Sequence, residues 1–140
     1  MKFIILAMTL LIAACSVNKP NVHGSLYQAL GATSGIEKLT DAFIEQIQYD
    51  PLVMPYFFET DVARFKEKFM QQICEISGGP CNYTGDSMQD IHGGMMINEN
   101  HFNALVNDLI LAMEAIDLPT STQNRLLALL APMREDIIYR

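Results

Sequence analysis

The residue best placed to do chemistry is His92, in the run Met88-Gln89-Asp90-Ile91-His92-Gly93-Gly94-Met95-Met96-Ile97, with His101-Phe102 following shortly after. It sits on one short helical turn that Gly93 and Gly94 interrupt, between segments crowded with Phe, Leu, Met and Ile. Such an imidazole can donate one ring nitrogen to a metal while apolar walls enclose the group that carries it, and a haem fits that description. The plainer alternative is a histidine that only caps or packs against its helix. A zinc site is disfavoured, because no His, Cys or carboxylate lies three or four residues from His92 to complete one.

Cysteine offers two further chemistries. Cys74 and Cys81 flank Ile76-Ser77-Gly78-Gly79-Pro80, where the glycines let the chain fold back, so they either close a small disulfide loop or stay separately buried thiols. Cys15 has a different setting. Met1-Lys2 is a short positive start, Phe3 to Ile12 is apolar except for Thr9, and Ala13-Ala14 are the small residues a signal peptidase requires. The stretch is too short to span a bilayer as an anchor. Leu11-Ile12-Ala13-Ala14-Cys15 resembles the bacterial lipobox, in which the thiol accepts a diacylglycerol and becomes the new N-terminus. On this reading residues 1–14 are a lipoprotein signal peptide, 15–24 a lipidated tether containing Pro20, and 25–140 the domain. The mature chain is then expected in a bacterial cell envelope, lipid-anchored to a membrane outside the cytoplasm, most naturally on the periplasmic side. That compartment also permits disulfides.

Composition limits the partners. The 140 residues allow one domain with a single core, and half of them are apolar. The net charge of −7 with no basic patch argues against nucleic acid. Nine Met and seven Phe without Trp imply a core of large, adaptable side chains.

The chain that must position His92 reads as a series of helices. After a turn around Leu26 to Leu30, Ser34 and Glu37 form a capping box, and Ile36, Leu39, Phe43 and Ile47 recur at helical spacing until Asp50-Pro51. Thr60 or Asp61 caps a helix with the stripe Val62, Phe65, Phe69, Ile73 and Ile76, which Gly78-Gly79-Pro80 ends. Ser87 and Asp90 open the short helix of His92. Asn98 caps a long helix facing inward through Phe102, Leu105, Leu109, Met113 and Ile116. Thr120 and Gln123 box the last one, which buries Leu126, Leu127, Leu130, Met133 and Ile137 and is kinked by Pro132. No β alternation or internal repeat is present, so the fold class is all-α.

From Ser25 to Ile138 the chain resembles a truncated haemoglobin of group I. The resemblance rests on Ser25-Leu26-Tyr27, Leu30-Gly31, Asp50-Pro51-Leu52, Tyr56-Phe57, Arg64-Phe65-Lys66, Gly78-Gly79-Pro80, Tyr83-Thr84-Gly85, His92, Ile97, His101-Phe102 and Leu130-Ala131-Pro132, in order and spacing. The lack of Trp separates the chain from the second group, which keeps one in its haem pocket. The resemblance implies a truncated globin fold, a helical sandwich around haem b, with a diatomic gas as ligand and a reductase of unknown identity. It makes His92 the proximal ligand, Phe57 the aromatic wedged against the haem at a helix corner, and Phe102 an apolar contact from the long helix. Lys68 falls where a basic side chain pairs with a haem propionate, and Tyr83 lies near the haem edge. His101 is expected to be structural and to face away from the iron.

One departure stands out. Group I globins usually carry a Tyr in the first long helix and a Gln in the second to hydrogen-bond oxygen. Here Ile44, Phe65 and Phe69 occupy the corresponding distal positions, and none can donate. Losing a donor to a partly charged ligand removes roughly 1.5–3 kcal/mol, equivalent to release some ten- to a hundredfold faster. Oxygen storage is therefore disfavoured relative to sensing or nitric oxide chemistry. The competing functions are a haem enzyme (nitric oxide dioxygenase or peroxidase-like) and an extracytoplasmic haem carrier.

Overall fold

The computed structural model describes residues 24–140, so the signal segment, Cys15 and all of the tether except Gly24 lie outside the described residues. Six α-helices follow in order: α1 Leu26–Ala29, α2 Ala32–Tyr49, α3 Val62–Ile76, α4 Met88–His92, α5 Glu99–Ala115 and α6 Thr120–Leu130. One 3-10 helix, Met54–Phe57, joins α2 to α3, and another, Ala131–Asp136, follows α6. Among the described residues there is no strand, as the sequence implied.

Helix α2 lies between α5 and α3 and contributes most to the core. The expected face Ile36, Leu39, Phe43 and Ile47 is buried, together with Thr40, whose hydroxyl donates to the Ile36 carbonyl at 2.8 Å. The start of α2 differs from the capping box expected at Ser34. The helix begins three residues earlier, at Ala32 after Gly31 in a left-handed conformation with φ 87°, and Ser34 lies within its first turn. Glycine makes this turn at no steric cost. Gly35 then allows α1 and α2 to meet, since a Cβ there would stand 1.9 Å from the Leu30 carbonyl oxygen.

The caps of the next three helices follow the sequence. Asp61, Ser87 and Asn98 accept from the backbone N–H groups of Arg64, Asp90 and His101. At α6 the expected box of Thr120 and Gln123 is absent. Pro119 precedes the helix, and the Gln123 amide instead donates to the Leu118 carbonyl at 2.9 Å. Pro132 does not kink α6 but ends it: the helix stops at Leu130 and continues as the 3-10 turn, because proline denies its own N–H and clashes with the preceding turn. Only Leu126 of the five expected core residues there is fully buried. Leu130, Met133 and Ile137 are instead half-buried and turn toward a cavity.

Cys74 and Cys81 are bonded, with Cα atoms 5.8 Å apart, so the disulfide alternative holds in this structure. Gly79 is what lets the loop lie so close. A Cβ on it would approach Cys74 Sγ to 2.7 Å and the Tyr27 ring to 2.6 Å.

Candidate functional site

The helices enclose a cleft of about 270 Å³, partly open to solvent and lined mainly by apolar side chains. One wall is aromatic. Phe43 from α2, Phe57 from the 3-10 turn, and Phe65 and Phe69 from α3 pack with ring centroids 5.1 Å apart for Phe43–Phe69 and for Phe57–Phe65, and 5.8 Å for Phe65–Phe69. Spacing of four residues on α3 stacks Phe65 and Phe69 on one face, and both stay half-buried because that face borders the cleft. His92, Ile97, Phe102 and Leu105, and Leu130, Met133 and Ile137 from the end of the chain, complete the lining.

His92 lies on this lining as the last residue of α4. Its Nδ1 sits 2.7 Å from the Met88 carbonyl oxygen. A carbonyl only accepts, so Nδ1 must carry the proton and donate. Nε2 is left with an exposed lone pair, the form a metal ligand needs, and the bond also orients the ring.

The remaining polar groups of the lining are few. Lys68 Nζ is held by Glu67, Gln71 and Thr84 at 3.0, 3.3 and 2.9 Å, which places a cation at the cleft with its direction set by α3 and the Thr84 loop. The Tyr83 ring lines the cleft while its hydroxyl donates to the Asp86 carbonyl at 2.9 Å, and burial, then Asp86, push its pKa upward. Tyr83 folds close over Gly85, so a side chain at Gly85 would have to displace the phenol end of Tyr83. Gln72, one turn beyond Phe69, also faces the cleft and donates only to the weak acceptors Met88 Sδ and Met133 Sδ, at 3.7 and 3.6 Å.

Two sequence expectations change. Ile44 does not line the main cleft; it lines a smaller adjoining cavity with Ile47, Met54 and Val62, separated from the first by Phe57 and Phe65, which border both. The α2 register gives the main cleft Phe43 instead. His101 does not face away but lines the cleft, with Nδ1 2.6 Å from the Tyr56 hydroxyl. A sequence alignment assigns positions along a helix, whereas the packing of α2 against α3 and α5 decides which of two adjacent residues, Phe43 or Ile44, turns to the main cleft. Phe65 and Phe69 carry no donor, but the cleft as a whole does contain donors, Tyr56, Thr60, Lys68, Gln72, Tyr83 and His101 among them. Gln72 was missed because nothing in local periodicity marks a polar residue on a cofactor-facing stripe.

A family model described as bacterial-like globin matches residues 25–139, nearly all of the described chain. The chain belongs to the bacterial-like globin family. The group 1 truncated haemoglobin of Mycolicibacterium paratuberculosis is 28% identical over 113 residues, covering 81% of this chain and 83% of that protein. The group 1 truncated haemoglobin of a Nostoc species is 32% identical over 89 residues, covering 64% of this chain and 75% of that protein. In three dimensions the Fe(III) truncated haemoglobin of Tetrahymena pyriformis superposes with a TM-score of 0.80 at 21% identity, over 84% of this chain and all of the other. The fold is thus the truncated globin fold expected from the sequence.

As a globin the chain takes haem b, and the residues present fit it. A flat apolar macrocycle suits a cleft lined by the aromatic cluster and by Phe102, Leu105 and Ile97. His92 Nε2 is the ring nitrogen free to hold iron, and Lys68 supplies a cation of the sign that propionates require. When bound, the haem supplies an open coordination position and a one-electron couple at iron.

Proposed function

We propose that this globin reversibly binds a small diatomic ligand, oxygen, nitric oxide or carbon monoxide, at a haem held by His92, and that it does so as a lipoprotein anchored through Cys15. The observation that carries the first half is the Nδ1 to Met88 carbonyl bond, which leaves His92 with one free nitrogen on the lining of an apolar cleft. The aromatic wall of Phe43, Phe57, Phe65 and Phe69 gives the cleft an apolar surface, which favours a small uncharged ligand over water. Phe65 and Phe69 offer that ligand no hydrogen bond. What supports the anchor is the lipobox-like run ending at Cys15. Among the described residues no helix is long and apolar enough to cross a membrane, so attachment would rest on the lipid.

The test is the absorption spectrum of the purified domain with haem, ferric and ferrous, with and without carbon monoxide. Ferrous protein should show a five-coordinate histidine-ligated spectrum that converts to a carbonyl form. His92→Ala should abolish both, and an unchanged Soret band without added imidazole would refute the assignment.

A haem enzyme is the second reading, favoured by one feature. Tyr56 and His101 form a hydrogen-bonded pair on the lining, the kind of group that can hold or pass a proton between Tyr56 Oη and His101 Nδ1. Reductant-dependent turnover of nitric oxide or peroxide, lost in His101→Phe, would establish that reading.

A further inference from the structure

The helix that carries His92 is five residues long, far too short to hold its shape by its own hydrogen bonds. Its N-terminus is capped by Ser87, but what it packs against is the 3-10 helix Ala131–Asp136. Gln89 Nε2 donates to Asp136 Oδ1 at 2.6 Å. Gln72 Nε2 bridges the Met88 and Met133 sulfurs, joining α3, α4 and the 3-10 helix at one point. Beyond His92 the same segment holds the loop as well. Met96 N–H donates to the Arg140 carbonyl at 3.1 Å and Tyr139 N–H donates to the Ile97 carbonyl at 2.8 Å, a short antiparallel pairing.

Backbone conformation marks this pairing as imposed. Met96 at φ 51° and Tyr139 at φ 56° both occupy the left-handed region that residues with a Cβ avoid, and they face each other across the two bonds. Such conformations persist only where the surroundings over-determine them. The segment is anchored in turn to α5. Arg134 pairs with Glu99 at 2.7 Å and lies 5.8 Å over the ring of Phe102, itself on the cleft lining.

We propose that residues 131–140 are a positioning clamp for the proximal histidine: they hold α4 and the Met96-Ile97 loop from both sides and thereby set the tilt and distance of His92 toward the iron. The residues that carry this are Asp136, Met133, Tyr139 and Arg140, of which Asp136 and the last two reach the His92 region through hydrogen bonds with Gln89, Ile97 and Met96. The inference rests on His92 being the haem ligand.

The experiment compares the unmodified holoprotein with Asp136→Ala, which removes the acceptor for Gln89, and with a chain ending at Ile138, which removes both pairing bonds to the loop. Lys66→Met, which loses only the α3 to α2 ion pairs with Glu37 and Asp41, is the control. The readouts are the iron–histidine stretching band of the ferrous, ligand-free protein by resonance Raman, the rate of haem loss to an acceptor globin, and amide exchange at residues 88–92 in the haem-free protein. In both clamp variants the band should shift, haem should leave about tenfold faster, as when a group supporting a metal ligand is removed, and exchange at 88–92 should accelerate. Far-UV helix content should stay the same, and the control should match the unmodified protein. Asp136→Ala is a single surface change and keeps the test decisive even if the shortened chain folds poorly. An unmoved band and unchanged haem loss in Asp136→Ala would overturn the clamp. Absence of any iron–histidine band in the unmodified protein would instead overturn the ligand assignment on which the clamp rests.

Discussion

At the scale of single residues, Phe69 tests how the cleft treats oxygen. It lines the main cleft in the middle of the aromatic wall, whereas Ile44 lies in the adjoining cavity behind Phe57 and Phe65. Phe69→Gln should therefore supply a donor by itself and slow oxygen release roughly tenfold, the effect of about 1.4 kcal/mol of hydrogen bonding. Ile44→Tyr should change it little, and carbon monoxide release should respond weakly to either. Stopped-flow release rates on the two variants decide the point, and equal slowing by both would mean that the two cavities communicate. Asp108 provides a second test. It is 4% exposed, its Oδ2 has no hydrogen-bond partner, and burial, reinforced by Asp50, pushes its pKa up to about 6. Because an acid with a raised folded pKa holds its proton more tightly when folded, it costs nothing below about pH 4, where both states are protonated. The penalty grows as pH rises to about 6 and is complete above it. Asp108→Asn should thus stabilise the domain at pH 7.5 by on the order of 2 kcal/mol and lose that advantage near pH 4, as followed by denaturant unfolding of the haem-free protein. His92 and the cysteine pair were legible in the sequence, since each is marked by residue type and by flanking glycines. Asp108 and Gln72 were not, because a polar residue on a helix says nothing of whether its side chain meets solvent, a partner or a void.

At the scale of elements, the disulfide and the proline are the telling features. The Cys74–Cys81 bond ties the end of α3 to the loop that leads through Tyr83 and Thr84 to Lys68, so it braces the cleft edge as well as closing a short loop. Replacing both cysteines by serine should lower unfolding free energy by on the order of 2 kcal/mol under oxidising conditions. The same change under reducing conditions should cost much less, and equal midpoints in both conditions would show that the bond does not form in solution. Helix existence and most inward faces followed from apolar spacing, as Ile36, Leu39 and Phe43 illustrate. Helix ends were less legible. Gly31 starts α2 by conformation and not by a side-chain cap, and Pro132 terminates α6 through its missing N–H, leaving the segment beyond it to pack against α4.

At the scale of the whole molecule, the lipid anchor stands on residues outside the described part and requires its own measurement. Cys15→Ser should move the protein from the membrane fraction to the soluble fraction and remove the mass of a diacylglyceryl group from the mature N-terminus. A membrane-bound Cys15→Ser protein would refute lipidation at that residue. The amino-acid sequence by itself determined the helical class, the family resemblance and the candidate iron ligand His92, because these depend on local periodicity, turn chemistry and one imidazole in a distinctive setting. Only the tertiary structure decided that Phe43 and not Ile44 faces the cleft, that His101 turns inward to Tyr56, and that the segment after Pro132 grips the His92 helix. The reason is geometric. Periodicity fixes a stripe on each helix to within about one residue, while helix crossing angles and pairings between segments far apart in the chain choose the side chain that points into a shared space.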